Sequence, residues 1–256
     1  MRRIDLAEIE DSPACPVWLR DAMTGYLQTV TERVEPYSAT APVLRDLFAS
    51  ASGTRVLDLA SGSGGPWAGL IDQLEGVRVT LSDIAPPADA VERFQHRTRL
   101  EYLPMPVSAL HPPDGDFDMW TIFTGLHHFG PDDVMRIMRE AQHRGVRFAA
   151  FEATSRSAAG VAVTLLIPLL VLAMMPRVRP RKLLPLLLTY LPPILPVLIW
   201  WDGLASTLRT YTADELRDFA ERVDDGAYRW SVEELRSSSG PIPVLALVGR
   251  PHRVVA

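Results

Sequence analysis

Apolar residues along this chain follow two periods. Short dense runs at 55–59, 77–83, 100–103, 117–123 and 145–152 have the Val, Leu, Ile and Phe content of strands buried on both faces. Segments 16–34 and 41–51 show helical spacing instead. Trp18, Leu19, Met23, Tyr26, Leu27 and Val30 share one face of the first, and Val43, Leu44 and Leu47 one face of the second. Helices are also expected over 68–74, closed by Gly76, over 89–97, and over 132–144, where Pro131, Asp132 and Asp133 suit a helix start. Near the end, Thr212 and Glu215 form a capping box that opens another helix, and 228–232 and 244–249 read as two last strands. Seven strands alternating with helices predict an α/β fold: a doubly wound, mostly parallel, Rossmann-like sheet preceded by two helices.

The first strand carries Asp58 and runs into Ala60-Ser61-Gly62-Ser63-Gly64-Gly65-Pro66-Trp67. A loop of small residues at a strand end lets backbone N–H groups reach the polar groups of a ligand, and Pro66 suits the first turn of the helix that follows. About twenty residues on, the second strand ends in Asp83, an acid placed to accept both hydroxyls of a ribose. The two signals together point to a nucleoside cofactor. A dinucleotide fingerprint needs a third glycine where Trp67 stands, which argues against a nicotinamide dinucleotide.

The frame Asp58-x-Ala60-x-Gly62-x-Gly64, with Asp83 behind it, resembles motif I and the ribose-binding acid of the class I S-adenosylmethionine-dependent methyltransferases. The resemblance covers roughly residues 40–155 and 205–250. It implies S-adenosyl-L-methionine as cofactor. The methionine part would lie against Asp58, Ala60, Ser61, Gly62 and Gly64, the ribose and adenine against Asp83, Ile84, Ser108 and Ala109, and the end of the fourth strand would add Thr124. It further implies an antiparallel last strand and a cap made by the N-terminal helices, with Tyr26 and Tyr37 as candidate pocket residues. Two positions depart from the family. Its first glycine is Ala60 here, expected to tighten the turn without closing it, and an acid often found after the third strand is replaced by Ser108.

The fourth strand leads into Thr124-Gly125-Leu126-His127-His128-Phe129. Ligands of open α/β sheets sit outside the carboxyl ends of the strands, so this loop should face the departing methyl group. The string resembles the corresponding motif of small-molecule methyltransferases. For a phenol or hydroxyl acceptor, His127 or His128 is the candidate base, since imidazole takes a proton near neutral pH. A histidine that only bonds its own loop is the competing expectation. Glu152, ending the fifth strand, is expected to cap the loop. No metal is expected, because neighbouring Cys and His lack metal-ligand spacing.

Residues 158–201 break the pattern. Stretches 160–175 and 183–201 carry no charge and approach the length of a membrane span, with Arg177, Arg179, Arg181 and Lys182 between them. Both ends return to the cofactor fold, so a spanning hairpin would put its basic loop outside, against the positive-inside tendency. Pro168, Pro176, Pro180, Pro185, Pro192, Pro193 and Pro196 also interrupt its helices. An in-plane or shallowly inserted hairpin is expected, its basic residues near lipid phosphates. A buried lid or dimer interface in a soluble enzyme is the alternative. Either makes an apolar wall suited to a small lipophilic acceptor. At the re-entry, Trp201, Asp202, Arg209 and Tyr211 are candidate acceptor contacts, unless Asp202 and Arg209 simply pair with each other.

A net charge of −5 argues against general nucleic-acid binding. The single Cys15 excludes an intramolecular disulfide and suits a reducing compartment. Asp5, Glu8, Glu10 and Asp11 stand where a signal peptide needs an apolar core, so the chain is expected in the cytoplasm, peripheral or monotopic at the inner face of the membrane if the hairpin meets lipid. The expected division is cap helices over 1–52, a cofactor core over 53–157, the apolar insertion over 158–204 and the remaining core over 205–256, with an oligomer allowed. The expected function is methyl transfer by in-line displacement to a small, lipophilic acceptor. A non-catalytic scaffold with the hairpin as its working surface is the alternative.

Overall fold

The computed structural model describes residues 1–48, 53–236 and 242–252. The runs that read as strands pair into one sheet: β1 (Thr54–Leu59), β2 (Val77–Leu81), β3 (Leu100–Tyr102), β4 (Met119–Phe123), β5 (Arg147–Glu152), β6 (Tyr228–Leu235) and β7 (Val244–Pro251). Their order is β3-β2-β1-β4-β5-β7-β6. Strands β1 to β5 are mutually parallel, and β7 runs antiparallel to both neighbours. The order reverses between β1 and β4, which opens a crevice at their carboxyl ends.

Helices cover both faces, which is why the central strands carry apolar residues on both. Helices α2 (Ala41–Phe48), α3 (Trp67–Leu70) and α4 (Ala88–Phe94) pack on one side through Leu44, Trp67 and Phe94. Helices α5 (Pro131–His143) and α10 (Ala213–Val223) pack on the other through Val134, Met138 and Leu216. The capping box of α10 forms as its sequence predicts. Boundaries shift modestly: helix 68–74 is the short α3 followed by a 3-10 turn to Gln73, and the end of helix 41–51 lies outside the described residues.

The apolar stretch is broken into four helices, α6 (Ala158–Thr164), α7 (Ile167–Met174), α8 (Leu183–Tyr190) and α9 (Ile194–Arg209). Proline explains the fragments, since each ring removes a backbone donor. The α6–α7 and α8–α9 pairs bend by 41° and 87°, and no single helix among the described residues is long and apolar enough to cross a membrane. Helix α9 runs unbroken past the expected boundary at 204 to Arg209.

The insertion has its own core partner in α1 (Val17–Val34). Leu19, Met23 and Tyr26 meet Val171, Met175, Leu195 and Ile199 there. Val171 and Leu195 are fully buried, each contributing about 1.5–3 kcal/mol by the usual scale. The basic turn lies against the same helix. A Cβ on Gly25 would sit 3.1 Å from Val178, so glycine permits the close approach. Lys182 turns inward, bonding Asp89 at 2.6 Å and Asp21 at 3.3 Å.

Candidate active site

The loop after β1 is held in conformations that favour glycine. Gly62, Gly64 and Gly65 have φ of +49°, +110° and +53°, and Ala60 has φ of +54°. A side chain there costs about 1–2 kcal/mol. Ala60 takes the left-handed conformation itself. Its methyl is accommodated because the facing residue is Gly125, where a Cβ would lie 3.2 Å from it.

Asp58 is fully buried beneath this loop. Its carboxylate accepts the Thr121 hydroxyl at 2.5 Å and the Ser61 hydroxyl at 2.6 Å, fastening the loop to β4. Burial pushes its pKa up to about 6, against the pull of those two bonds. Asp83, half-buried, accepts the Gly62 and Ala85 N–H groups at 2.8 Å each, one per oxygen. Each carboxylate oxygen keeps a second lone pair for a ribose hydroxyl. Ile84 beside it is 65% exposed, an apolar surface next to the acid. Ser108 accepts the Leu110 N–H at 3.3 Å and keeps its own O–H to donate, while Ala109 is buried.

A nucleoside cofactor fits this arrangement. A Cβ on Gly62 would meet nothing within 4 Å, so the outer face of the loop is open. On Gly64 it would strike Phe94 at 2.5 Å, so the inner face is closed. Thr124, at the end of β4, has φ of +45° and pairs its hydroxyl with the Tyr37 hydroxyl, while the Ala153 N–H donates to it at 3.1 Å.

The histidines sit in a buried charged cluster. Glu152 accepts the Leu126 N–H at 2.7 Å through one oxygen and bonds His127 Nδ1 at 2.8 Å through the other. It therefore caps the loop and orients a ring at once. Burial opposes ionisation of Glu152, but His127 and the Leu126 N–H hold its pKa below the ordinary value. His127 Nε2 points the other way and lies 3.7 Å from Glu8 Oε1.

Glu8 belongs to the acidic segment ahead of α1, which forms no regular element and serves as a strap. Arg209 bonds Asp11 at 2.7 Å, Glu8 at 3.2 Å and the His128 carbonyl at 3.0 Å. Asp202 accepts the N–H groups of Ile9 at 2.8 Å and Glu10 at 3.1 Å, and Trp201 donates to the Ala7 carbonyl at 3.1 Å. Tyr211 donates to the Phe129 carbonyl at 2.7 Å and lies under the Arg3 guanidinium. Asp202 and Arg209 are thus engaged with the strap rather than with each other, and Trp201 joins them.

Burial works against charge on His128, yet its bond to Asp11 and the charges of Glu8, Asp11 and Glu10 raise its pKa to about 9. Burial first, and neighbouring carboxylates after it, lift Glu10 to about 7 and Asp202 to about 6, against the pull of His128 on Glu10 and of the Ile9 and Glu10 N–H groups on Asp202. Ligand atoms of Glu8, His127 and His128 come within 4.8 Å of one another, a grouping linear spacing does not reveal. The Arg209 guanidinium already holds Glu8 in it. No local signal in the sequence marks this contact, since Glu8 and Arg209 lie 201 residues apart.

Sheet order and loop together define a Rossmann-like α/β protein with a nucleoside-type site. Residues 56–144 match the model of a methyltransferase domain. The demethylmenaquinone methyltransferase of Thermus thermophilus is 36% identical over 87 residues, 33% of this chain and 40% of that protein. Two solved structures share the fold across nearly the whole chain. The plantazolicin methyltransferase BpumL with S-adenosylhomocysteine aligns over 92% of this chain and 96% of its own, at 7% identity and a TM-score of 0.58. The 1,6-didemethyltoxoflavin-N1-methyltransferase of Burkholderia thailandensis aligns over 97% and 93%, at 15% identity and 0.55. The chain spans 55% of the mitomycin 7-O-methyltransferase, at 20% identity and 0.50. Over residues 56–144 the chain is thus similar to methyltransferase domains, and its fold is the one these methyltransferases share.

Proposed function

We propose that this protein transfers a methyl group from S-adenosylmethionine to a small lipophilic acceptor bearing an ionisable hydroxyl. The observation that carries the proposal is the pairing, at one end of the sheet, of an open left-handed glycine loop with Asp83 and a histidine aimed by a buried carboxylate. When bound, the cofactor supplies a methyl group on a sulfonium, already activated for displacement. The chain supplies alignment and proton transfer. Asp83 and the Gly62 region hold the nucleoside, and Asp58 keeps the loop in register from beneath. Glu152 fixes the His127 ring through Nδ1, leaving Nε2 to accept the acceptor's proton. Glu8 lies on that side, so the strap gives way when the acceptor enters.

Exposed apolar side chains of the insertion support a lipophilic acceptor. Leu165, Leu169, Leu183, Leu191 and Val197 are each more than half exposed on this one element. The same surface supports contact with the inner face of a membrane, as for a cytoplasmic enzyme drawing its acceptor from lipid. The Thermus relative is named for demethylmenaquinone, which makes quinols the first acceptors to try.

The test is a tritiated-methyl assay over lipophilic phenols and quinols with wild type and His127→Gln. Methylation lost in the variant, with S-adenosylhomocysteine affinity kept, supports the assignment. Equal rates in both proteins refute His127 as base. Deleting the insertion would bare the α1 core, so membrane contact is tested by vesicle flotation of a Leu165→Ser/Leu169→Ser/Leu191→Ser variant. Unchanged flotation would sink the membrane proposal.

A further inference from the structure

A cavity of about 390 Å³ lies between α1, α4 and the turn joining α7 to α8, apart from the histidine cluster. Arg33, Arg93, Arg177, Arg179 and Arg181 line it, with Glu32 as its one carboxylate. In a chain of net charge −5, this is a concentration of positive charge. Like charges gathered this way repel unless an anion joins them.

Apart from the pairing of Arg93 with Glu32, the contacts around the cavity arrange the guanidinium groups without giving them a carboxylate partner among the described residues. Arg93 donates to the Ser63 carbonyl at 3.2 Å and lies 3.6 Å from Glu32. Arg177 donates to the Ala173 carbonyl, and Arg181 to the Pro176 carbonyl at 3.3 Å. Arg33 and Arg179 have no hydrogen bond or ion pair among the described residues. The contrast with Lys182 is direct: it stands next in the chain after Arg181 and meets two carboxylates. Arginine is also the side chain whose planar fork matches phosphate oxygens two at a time.

We propose that this cavity binds a phosphate-bearing anion of about diphosphate size. The group would sit between Arg33 and Arg93 on one side and Arg177, Arg179 and Arg181 on the other. Its position is tied to the cofactor loop, because Arg93 bonds Ser63 and Gln28 bonds the Gly65 carbonyl at 3.1 Å. The same chemistry is offered by a soluble phosphorylated compound and by the headgroup of an anionic lipid. The proposal does not depend on methyl transfer.

The test is calorimetric titration of the full chain with inorganic pyrophosphate at low salt, with and without saturating S-adenosylhomocysteine. It is repeated on Arg33→Ala/Arg179→Ala, whose fold is checked by circular dichroism. A parallel arm measures sedimentation with phosphatidylcholine vesicles, with and without phosphatidylglycerol. Binding that persists beside S-adenosylhomocysteine and falls about tenfold or more in the double variant supports the site. If pyrophosphate shows that pattern and vesicles do not, the ligand is soluble. If only anionic vesicles show it, the ligand is a lipid headgroup. A folded double variant that binds both as wild type does overturns the proposal, as does absence of binding to either. Full competition by S-adenosylhomocysteine also overturns it, by assigning the charge to the cofactor.

Discussion

Replacing Glu152 with Gln tests how His127 is held. In the wild type one carboxylate serves two buried donors, the Leu126 N–H at 2.7 Å and His127 Nδ1 at 2.8 Å. Glutamine brings one acceptor oxygen and an NH₂ group, so one of these sites loses its acceptor. A buried donor without a partner costs about 1–3 kcal/mol, and loss of the charge-assisted part of the remaining bond about 1 kcal/mol more. The expected loss is therefore about 2–4 kcal/mol, read as a lower urea midpoint at unchanged slope. The pH dependence gives a second check. The Glu152 pKa is depressed in the folded state, so its contribution is complete above its ordinary value of 4.5 and is lost as pH falls below it. The gap between wild type and variant should hold at pH 7 and narrow under acid conditions. A gap under about 0.5 kcal/mol at pH 7 refutes the dual role.

The strap and the glycine loop carry their own predictions. Gly64→Ala combines φ of +110° with a 2.5 Å approach to Phe94 and should lose about 2–4 kcal/mol on thermal unfolding. Gly69→Ala, helical with open space around it, should be neutral or slightly stabilising. Arg209→Met removes the cation that Glu8 and Asp11 share and should release the strap, seen as fast proteolysis within residues 1–15 while the sheet stays protected. His128 should titrate by NMR near pH 9, and Asp11→Asn should bring it down. Since its folded pKa is raised, its stabilising contribution is complete below about 6.5 and disappears as pH rises through 9. A midpoint near 6.5 in the wild type would refute the Asp11 contact.

The fold was legible because its signals are local. Strand runs, the Thr212–Glu215 cap and the spacing of Asp58 to Gly64 each occupy a few neighbouring residues, and the observed sheet follows them. The site was legible only in part. That Asp83 grips Gly62 needs the β1–β2 pairing, and that Glu152 grips His127 needs β4 beside β5. The strap was not legible at all. Glu8 and Arg209 are separated by 201 residues, and no periodicity encodes a contact between an irregular lead and a helix end. The packing of the insertion was not legible for a related reason: the α1 face that covers part of its uncharged stretches lies more than 100 residues away. The basic turn, expected near lipid phosphates, carries no local sign that the fold sets it beside Arg33 and Arg93.

The proposed activity rests on a nucleoside-cofactor site at Asp83 and the glycine loop. Calorimetric titration of the purified chain with S-adenosylhomocysteine, beside Asp83→Ala, tests it most directly. Two charge-assisted ribose bonds are worth about 1.5–3 kcal/mol each, so the variant should bind about a hundredfold more weakly or beyond detection. A folded wild type that gives no binding, or an Asp83→Ala variant with undiminished affinity, would contradict the account.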